Sequence, residues 1–331
     1  MQKSRLNNKT ILITGGTGFF GQKFTEAILN NLKPKKVIIF SRDEFKQYEM
    51  ALKFKKYEKK LRFFLGDIRD LKRLITAFED VHFVIHAAAL KQVPAAEYNP
   101  IEFIKTNIIG AQNIIEASLN TGVEKVLAIS TDKAVTPINL YGATKLCSDK
   151  LFVAANNYVG KKKISFSVIR YGNVVGSRGS VIPFFSSIAN KNVFPITDKK
   201  MTRFWITSEE AIDLVLWALK YSKGGEIFVP KIPSFRIIDL AKALNPKAKL
   251  EIVGIRQGEK IHEDLIAKSE AINLYDLGKY YCILNYNIQF KSKNYKIKNI
   301  KKISSDFFYN SSSNSQFLDV NQIKKKLYLK Y

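Results

Sequence analysis

The chain has 331 residues, 46% of them hydrophobic, with 54 Lys+Arg against 29 Asp+Glu and a formal net charge of +25. That length buries a substantial core and suggests about two domains, and no apolar run nears the ~20 residues of a membrane span. Two cysteines, Cys147 and Cys282, make no disulfide framework, and Met1–Arg5 lead toward the first strand with no room for a secretory signal, so a reduced, cytoplasmic protein is expected.

In chain order, Thr10–Thr14 reads as a buried strand, and Gly15-Gly16-Thr17-Gly18-Phe19-Phe20-Gly21 follows at once, opening helix-like sequence from Phe19 to Leu32. Glycines at 15, 18 and 21 between a strand and a helix permit a tight turn and close backbone approach to a pyrophosphate. The anion then rests on the helix N-terminus. Val37–Phe40 is the second strand and ends in Ser41-Arg42. A small hydroxyl followed by arginine suits the extra phosphate of NADP better than the ribose of NAD. Arg42 as a solvated charge is the alternative, and Asp43 beside it keeps NAD open.

A lysine-rich helix, a strand at Arg62–Leu65 running into Gly66-Asp67, and a helix from about Asp70 come next. Asp67 is placed either to touch an adenine or to serve as a turn or helix-entry residue. The fourth strand, Phe83–His86, runs into Ala87-Ala88-Ala89, whose small side chains let a dinucleotide lie against the sheet. His86 reads as a packed strand residue. A long helix is expected over about Asn99–Asn120, then a strand at Val126–Ile129, a helix over Tyr141–Tyr158 and a sixth strand at Ile164–Arg170. This rhythm predicts an α/β fold, a Rossmann-type doubly wound parallel sheet with helices on both faces.

At the end of the Val126 strand stand Ser130-Thr131-Asp132-Lys133, and Tyr141-Gly142-Ala143-Thr144-Lys145 opens the next helix. Ligands of open α/β sheets bind at the carboxyl ends of strands. Tyr141 and Lys145 share a helix face, and a lysine held there favours the phenolate, making tyrosine an acid/base for alcohol oxidation. Beyond Gly176 the rhythm breaks. Thr197–Arg203 and Arg256–Lys260 read as solvated loops or as carriers of arginines for phosphate recognition. The last forty or so residues, rich in Lys, Asn, Ser and Tyr, read as a terminal packing segment or a partly mobile one, with no chemistry assigned. The positive charge is spread along the chain without an aromatic–basic motif or zinc-finger spacing, so no nucleic acid is expected as partner. It suits an anionic substrate instead.

These residues resemble the extended short-chain dehydrogenase/reductases, and within them the UDP-N-acetylglucosamine 4,6-dehydratases, most closely the soluble 5-inverting kind that begins pseudaminic acid synthesis. The resemblance spans about residues 8–265. It is carried by the glycine motif at 14–21, Phe40–Glu44, His86–Lys91, Ser130–Ala134, Tyr141–Lys145, Arg170–Val174 and Met201–Thr207. The Thr131-Asp132-Lys133 signature discriminates, because dTDP-glucose dehydratases carry Thr-Asp-Glu there.

The resemblance implies an NADP-binding Rossmann domain over 8–175, receiving segments from about 205–240. A smaller α/β substrate-binding region follows over 176–265, and the C-terminal segment 266–331 has no assigned role. It implies NADP held by Gly15, Thr17, Gly18, Phe19, Gly21, Ser41, Arg42, Asp67, Ile68, Ala87, Ala88, Lys91, Tyr141 and Lys145. UDP-N-acetylglucosamine would lie among Lys91, Asn173, Val181, Pro195, Thr197, Met201, Arg203, Arg256 and Glu259, with the two arginines on the diphosphate. Tyr141, Lys145 and Thr131 would serve the oxidation at carbon 4, Lys133 the proton at carbon 5 and Asp132 the leaving hydroxyl at carbon 6. That division requires neutral Lys133 and protonated Asp132, the reverse of an ion pair. A homo-oligomer, no metal and no membrane association are also expected. A 4-epimerase, a retaining dehydratase and a non-catalytic NADP-binding regulator are the rival readings.

Overall fold

A computed structural model describes residues 6–177, 179–191, 193–285, 295, 297 and 299–328. The first half alternates strands and helices: β1 Thr10–Thr14, α1 Phe19–Asn31, β2 Lys36–Ser41, α2 Glu44–Lys53, β3 Leu61–Leu65, α3 Leu71–Phe78 and β4 Phe83–His86. Then come α4 Val93–Tyr98, α5 Pro100–Phe103, α6 Gly110–Leu119, β5 Lys125–Thr131, α7 Leu140–Ala155 and β6 Ser165–Tyr171. The second half holds α8 Val181–Ile188, β7 Val193–Ile196, β8 Thr202–Phe204, α9 Ser208–Tyr221, β9 Glu226–Pro230, β10 Ser234–Arg236 and α10 Ile237–Leu244. It ends with β11 Lys249–Ile252, β12 Asp264–Ile266, β13 Leu274–Asp276, β14 Tyr280–Leu284, β15 Lys301–Lys302, β16 Tyr309–Asn310 and α11 Val320–Tyr328.

One ten-stranded sheet organises the chain, in the order β15-β13-β14-β9-β6-β5-β4-β1-β2-β3. From β3 to β9 every pairing is parallel, and β14, β13 and β15 add an antiparallel edge. The order 3-2-1-4-5-6 within it is that of the Rossmann fold. Its inner strands are apolar almost without alternation, as in TILIT of β1, because helices cover both faces. A second core gathers Phe185, Phe194, Trp205 and Phe235 with Leu318, Ile323 and Leu327, the last three from the chain's end.

One helix differs from expectation, and of the two readings of the tail the packing segment is the one found. The helix expected over 99–120 contains a π-helical segment, Ile104–Ile109, between α5 and α6. The tail is built into the fold: β13, β14 and β15 lengthen the sheet, and α11 packs on α10. Its polar composition hides this because β15 and β16 have two residues each, too few to show an alternation.

Candidate active site

The carboxyl ends of β1, β2, β4 and β5 open into a cleft of about 780 Å³. Gly15, Thr17, Gly18, Phe19 and Gly21 line one side; Ser41, Arg42, Asp67 and Ile68 another; Ala87, Ala88, Lys91, Thr131, Tyr141 and Lys145 the inner end. The cleft fits a dinucleotide by its own construction. Helix α1 starts at Gly18 with no side-chain cap, leaving its first N–H groups for an anion. A Cβ at Gly21 would stand 2.5 Å from the Gly16 carbonyl oxygen, so glycine there lets α1 lie directly on the turn. Asp43 caps α2 by accepting from the Lys46 N–H at 2.9 Å and is also ion-paired to the Lys46 amine. Arg42 leans on Asp67 at 3.5 Å while half its side chain stays exposed. The end of β2 therefore presents two cations beside a carboxylate already engaged.

A second cavity of about 450 Å³ adjoins the first, and Lys91, Thr131, Tyr141, Asn173 and Ser177 line both. Its walls include Val181, Pro195, Thr197, Met201, Arg203, Arg256 and Glu259, with Arg256 on an exposed loop. Every residue expected to hold cofactor or substrate thus lies on one cavity or the other. Asp132 lines neither: it is fully buried behind Thr131 and Lys133.

The catalytic candidates converge because α7 docks tightly on the turn after β5. Asn139 caps α7 by accepting from the Gly142 N–H at 2.8 Å. A Cβ on Gly142 would stand 2.2 Å from the Lys133 carbonyl oxygen, so only glycine admits this approach. Lys133 Nζ reaches Asp132 Oδ1 at 3.1 Å, Glu263 Oε1 at 3.3 Å and Asn173 Oδ1 at 3.4 Å. The Thr131 hydroxyl donates to Asp132 Oδ1 at 2.9 Å.

Burial pushes the Tyr141 hydroxyl up to about 12, opposed by Lys133 and by a hydrogen bond with Thr131. Lys145 Nζ donates to the Ile129 carbonyl at 2.9 Å, and burial pulls its own amine below the ordinary range, with Asp149 opposing. Asp132 and Lys133 face each other as an ion pair, Oδ1 to Nζ at 3.1 Å. Burial disfavours the Lys133 ammonium, yet Asp132 and Glu263 outweigh it and hold it above its usual range. His86 is packed as expected. It is bonded to Thr14 at 2.8 Å, and burial drops its imidazole to about 3.

Residues that sequence reasoning passed over complete the site. Glu263, 2% exposed, sits between Lys133 and Arg203, whose Nε lies 3.7 Å away. Asp149 accepts from Ser130 Oγ at 2.8 Å and pairs with Arg170 at 3.5 Å. The spacing 141, 145, 149 on one helix face was a legible signal for Asp149; nothing local marked Glu263.

The family model described as "Polysaccharide biosynthesis protein" matches residues 11–285. A Campylobacter jejuni subsp. jejuni serotype O:2 protein named UDP-N-acetylglucosamine 4,6-dehydratase (inverting) is 53% identical over 316 residues, covering 93% of this chain and 94% of that one. A Rickettsia bellii protein named UDP-glucose 4-epimerase is 42% identical over 328 residues, 97% and 95% of the two chains. The X-ray structure of Pen from Bacillus thuringiensis superimposes with a TM-score of 0.90 at 34% identity over 98% and 99% of the two chains. DesIV, a dTDP-glucose 4,6-dehydratase from Streptomyces venezuelae solved with NAD and TYD bound, shares the fold. Its TM-score is 0.69 at 23% identity over 76% and 86% of the chains.

Proposed function

This chain belongs to the polysaccharide biosynthesis protein family, with the extended short-chain dehydrogenase/reductase fold, and from that membership we propose that it is an NADP-dependent UDP-N-acetylglucosamine 4,6-dehydratase that inverts carbon 5. The observation that carries the reading is the Asp132–Lys133 pair at 3.1 Å, beside Tyr141 where the two cavities meet. The 53% identity to a relative of that name supports it.

Bound NADP would supply oxidation at carbon 4 and return the reducing equivalent at carbon 6. Tyr141 takes the carbon-4 hydroxyl proton, aided by Thr131, Lys133 and Lys145. The ketone so formed acidifies carbon 5. Moving one proton within the pair makes Lys133 a base and Asp132 an acid without changing the charge of the cluster. The proton moves along the existing contact from Lys133 Nζ to Asp132 Oδ1 at 3.1 Å. Lys133 then removes the carbon-5 proton as the proton held by Asp132 passes through the Thr131 hydroxyl to the departing hydroxyl, and the resting ion pair is restored. Thr131 bonds Asp132 Oδ1 and lines both cavities. A solvent-derived proton delivered to carbon 5 on the opposite face inverts the centre, and Tyr141 gives the proton it took from the carbon-4 hydroxyl back to solvent. Arg42 and Lys46 support NADP over NAD. Arg203 and Arg256 would hold the diphosphate. The product suits the opening step of pseudaminic acid synthesis in a cytoplasmic homo-oligomer.

The Rickettsia bellii relative's name favours a second reading, a 4-epimerase. Epimerisation at carbon 4 needs a tyrosine but neither a base at carbon 5 nor an acid at carbon 6, so it leaves Asp132 and Lys133 idle. Proton NMR of UDP-N-acetylglucosamine incubated with the protein in deuterated water separates the readings. A carbon-6 methyl with L-arabino geometry and deuterium at carbon 5 is expected. Retained D-xylo geometry would overturn inversion, and a galacto epimer without a methyl would overturn dehydration.

A further inference from the structure

We infer that Glu263 is a positioning residue for the dehydration step: it holds the Lys133 amine at the cavity wall and, with Asp132, sets when that amine gives up its proton. The inference rests on the dehydratase reading above. Its geometric basis is independent of that reading.

Lys133 is embraced from two sides. Asp132 Oδ1 lies 3.1 Å from Nζ and Glu263 Oε1 3.3 Å, and both carboxylates are buried. Glu263 lines the substrate cavity together with Lys133, whereas Asp132 does not. The second oxygens of both, Asp132 Oδ2 and Glu263 Oε2, are buried without a hydrogen-bond partner among the described residues. A buried acceptor left unpaired is costly, and such groups call for an explanation. A cluster that must pass a proton among its members supplies one.

The placement of Glu263 is itself fixed from afar. Its N–H donates to Ser311 Oγ at 2.9 Å, and its carbonyl accepts from the Ser311 N–H at 2.8 Å. Ser311 Oγ also bonds Thr202 Oγ1 at 2.7 Å, next to Arg203. The tail thus clamps the backbone of Glu263 opposite the β5–α7 turn.

Charge counting gives the role. Asp132 and Glu263 face Lys133 and Arg203, so the four groups sum to zero. When the Lys133 proton passes to Asp132 the sum stays zero, and Glu263 remains paired with Arg203 at 3.7 Å. Without Glu263 the cluster carries an uncompensated buried positive charge, which disfavours the ammonium and loosens the lysine. The other charged or titratable groups that bear on Glu263 and Lys133 are Lys260 on Glu263's own segment, Tyr141 from α7 and Lys91 after β4. Burial pushes the Glu263 carboxyl up, and Lys133 opposes that by favouring the carboxylate.

The test uses the full chain loaded with NADP and given UDP-N-acetylglucosamine. Glu263→Gln keeps the shape and removes the charge. Its kcat is expected to fall about ten- to a hundredfold, part of the ~10²–10⁴ a positioned acid/base contributes, with KM nearly unchanged. Reduction of bound NADP, where Lys133 only assists Tyr141, loses far less rate than deuterium entry at carbon 5, where Lys133 is the base. The decline of kcat at high pH moves to lower pH, since the pair must keep its one shared proton and one of the two anions holding it on Lys133 is gone. Glu263→Asp keeps the charge, so its rate falls but its pH profile stays. Should Glu263→Gln not fold, Glu263→Asp decides by the same split between cofactor reduction and carbon-5 exchange. Loss of rate that is equal at every pH and equal in both half-reactions would assign Glu263 to the fold alone and overturn the inference. So would a variant as fast as the parent. A parent protein inert on the sugar nucleotide would instead overturn the dehydratase reading beneath it.

Discussion

The two cavities meet at Tyr141, yet they are made of different material. The cofactor cleft is walled largely by backbone and small residues: the turn at 15–21, the uncapped start of α1 and the alanines after β4. The substrate cavity is walled by side chains from well-separated stretches, with a buried cluster of two carboxylates and two cations at its base. A site made of backbone fails when atoms are added to it. A site made of charge fails when one charge is removed, because the partner is left buried and unpaired.

The largest expected effect lies where the two meet. Tyr141→Phe removes only a hydroxyl, so both ligands should still bind, and the ring keeps its packing. Turnover should fall by about 10²–10⁴, the usual share of a positioned acid/base. In the proposed sequence oxidation at carbon 4 comes first, so reduction of bound NADP and deuterium entry at carbon 5 should disappear together. Persistence of carbon-5 exchange in this variant would show that Lys133 acts without the oxidation step. Burial pushes the parent hydroxyl up to about 12, so the rate of bound-NADP reduction should climb with pH across the neutral range.

Gly21→Ala probes the backbone-built cavity. The added Cβ would lie 2.5 Å from the Gly16 carbonyl oxygen and 2.6 Å from its Cα, and neither can rotate aside. A cost of about 3 kcal/mol is expected, at the upper end for overpacking, since α1 must lift from the turn after β1. Denaturant unfolding should show it, and NADP affinity should fall with it. The corresponding overpacking in the substrate cavity, Val181→Ile, should leave stability nearly untouched, because Val181 is only partly buried.

What the sequence made legible follows the same division. A strand, a glycine turn and a helix are local, and so are the pairs Asp132–Lys133 and Tyr141–Lys145. Lys133, Tyr141 and Lys145 line the cavities, and Asp132 lies behind the wall. The direction in which the Tyr141 hydroxyl shifts was not legible. Tyr141 is raised because burial exceeds the help of any cation, and burial is a property of the assembled fold, not of a four-residue spacing. Glu263 was invisible because its partners, Lys133, Arg203 and Ser311, come from elements far apart in the chain. The tail was unreadable for a related reason: its strands are short edge pieces whose places are dictated by β14 and β12.

Beneath the cofactor cleft, His86 offers a smaller test. Its imidazole is buried, bonded to Thr14, and held to about 3, so the folded chain keeps it neutral. The unfolded chain binds a proton near pH 6.5, so stability is full above that value and declines as pH falls toward 3. Between pH 7 and pH 5 the loss from this one group should be about 2 kcal/mol. His86→Gln should flatten that part of the pH–stability curve, whatever it costs at pH 7. A parent and variant that fall in parallel would place the acid sensitivity elsewhere.

The smallest effect belongs to Arg42, at the rim of the cleft. Its side chain is half exposed and rests on Asp67 at 3.5 Å, a weak tether that a phosphate can outbid. A guanidinium bonded to the 2′-phosphate of NADP at an exposed site contributes about 1.5 kcal/mol, so Arg42→Ala should weaken NADP about tenfold. NAD lacks that phosphate, and its affinity should hold. Calorimetric titration with each cofactor reads the ratio directly. Equal losses for both would mean that Arg42 acts by supporting the rim through Asp67, and discrimination would then rest with Lys46 and Ser41, which line the same end of the cleft.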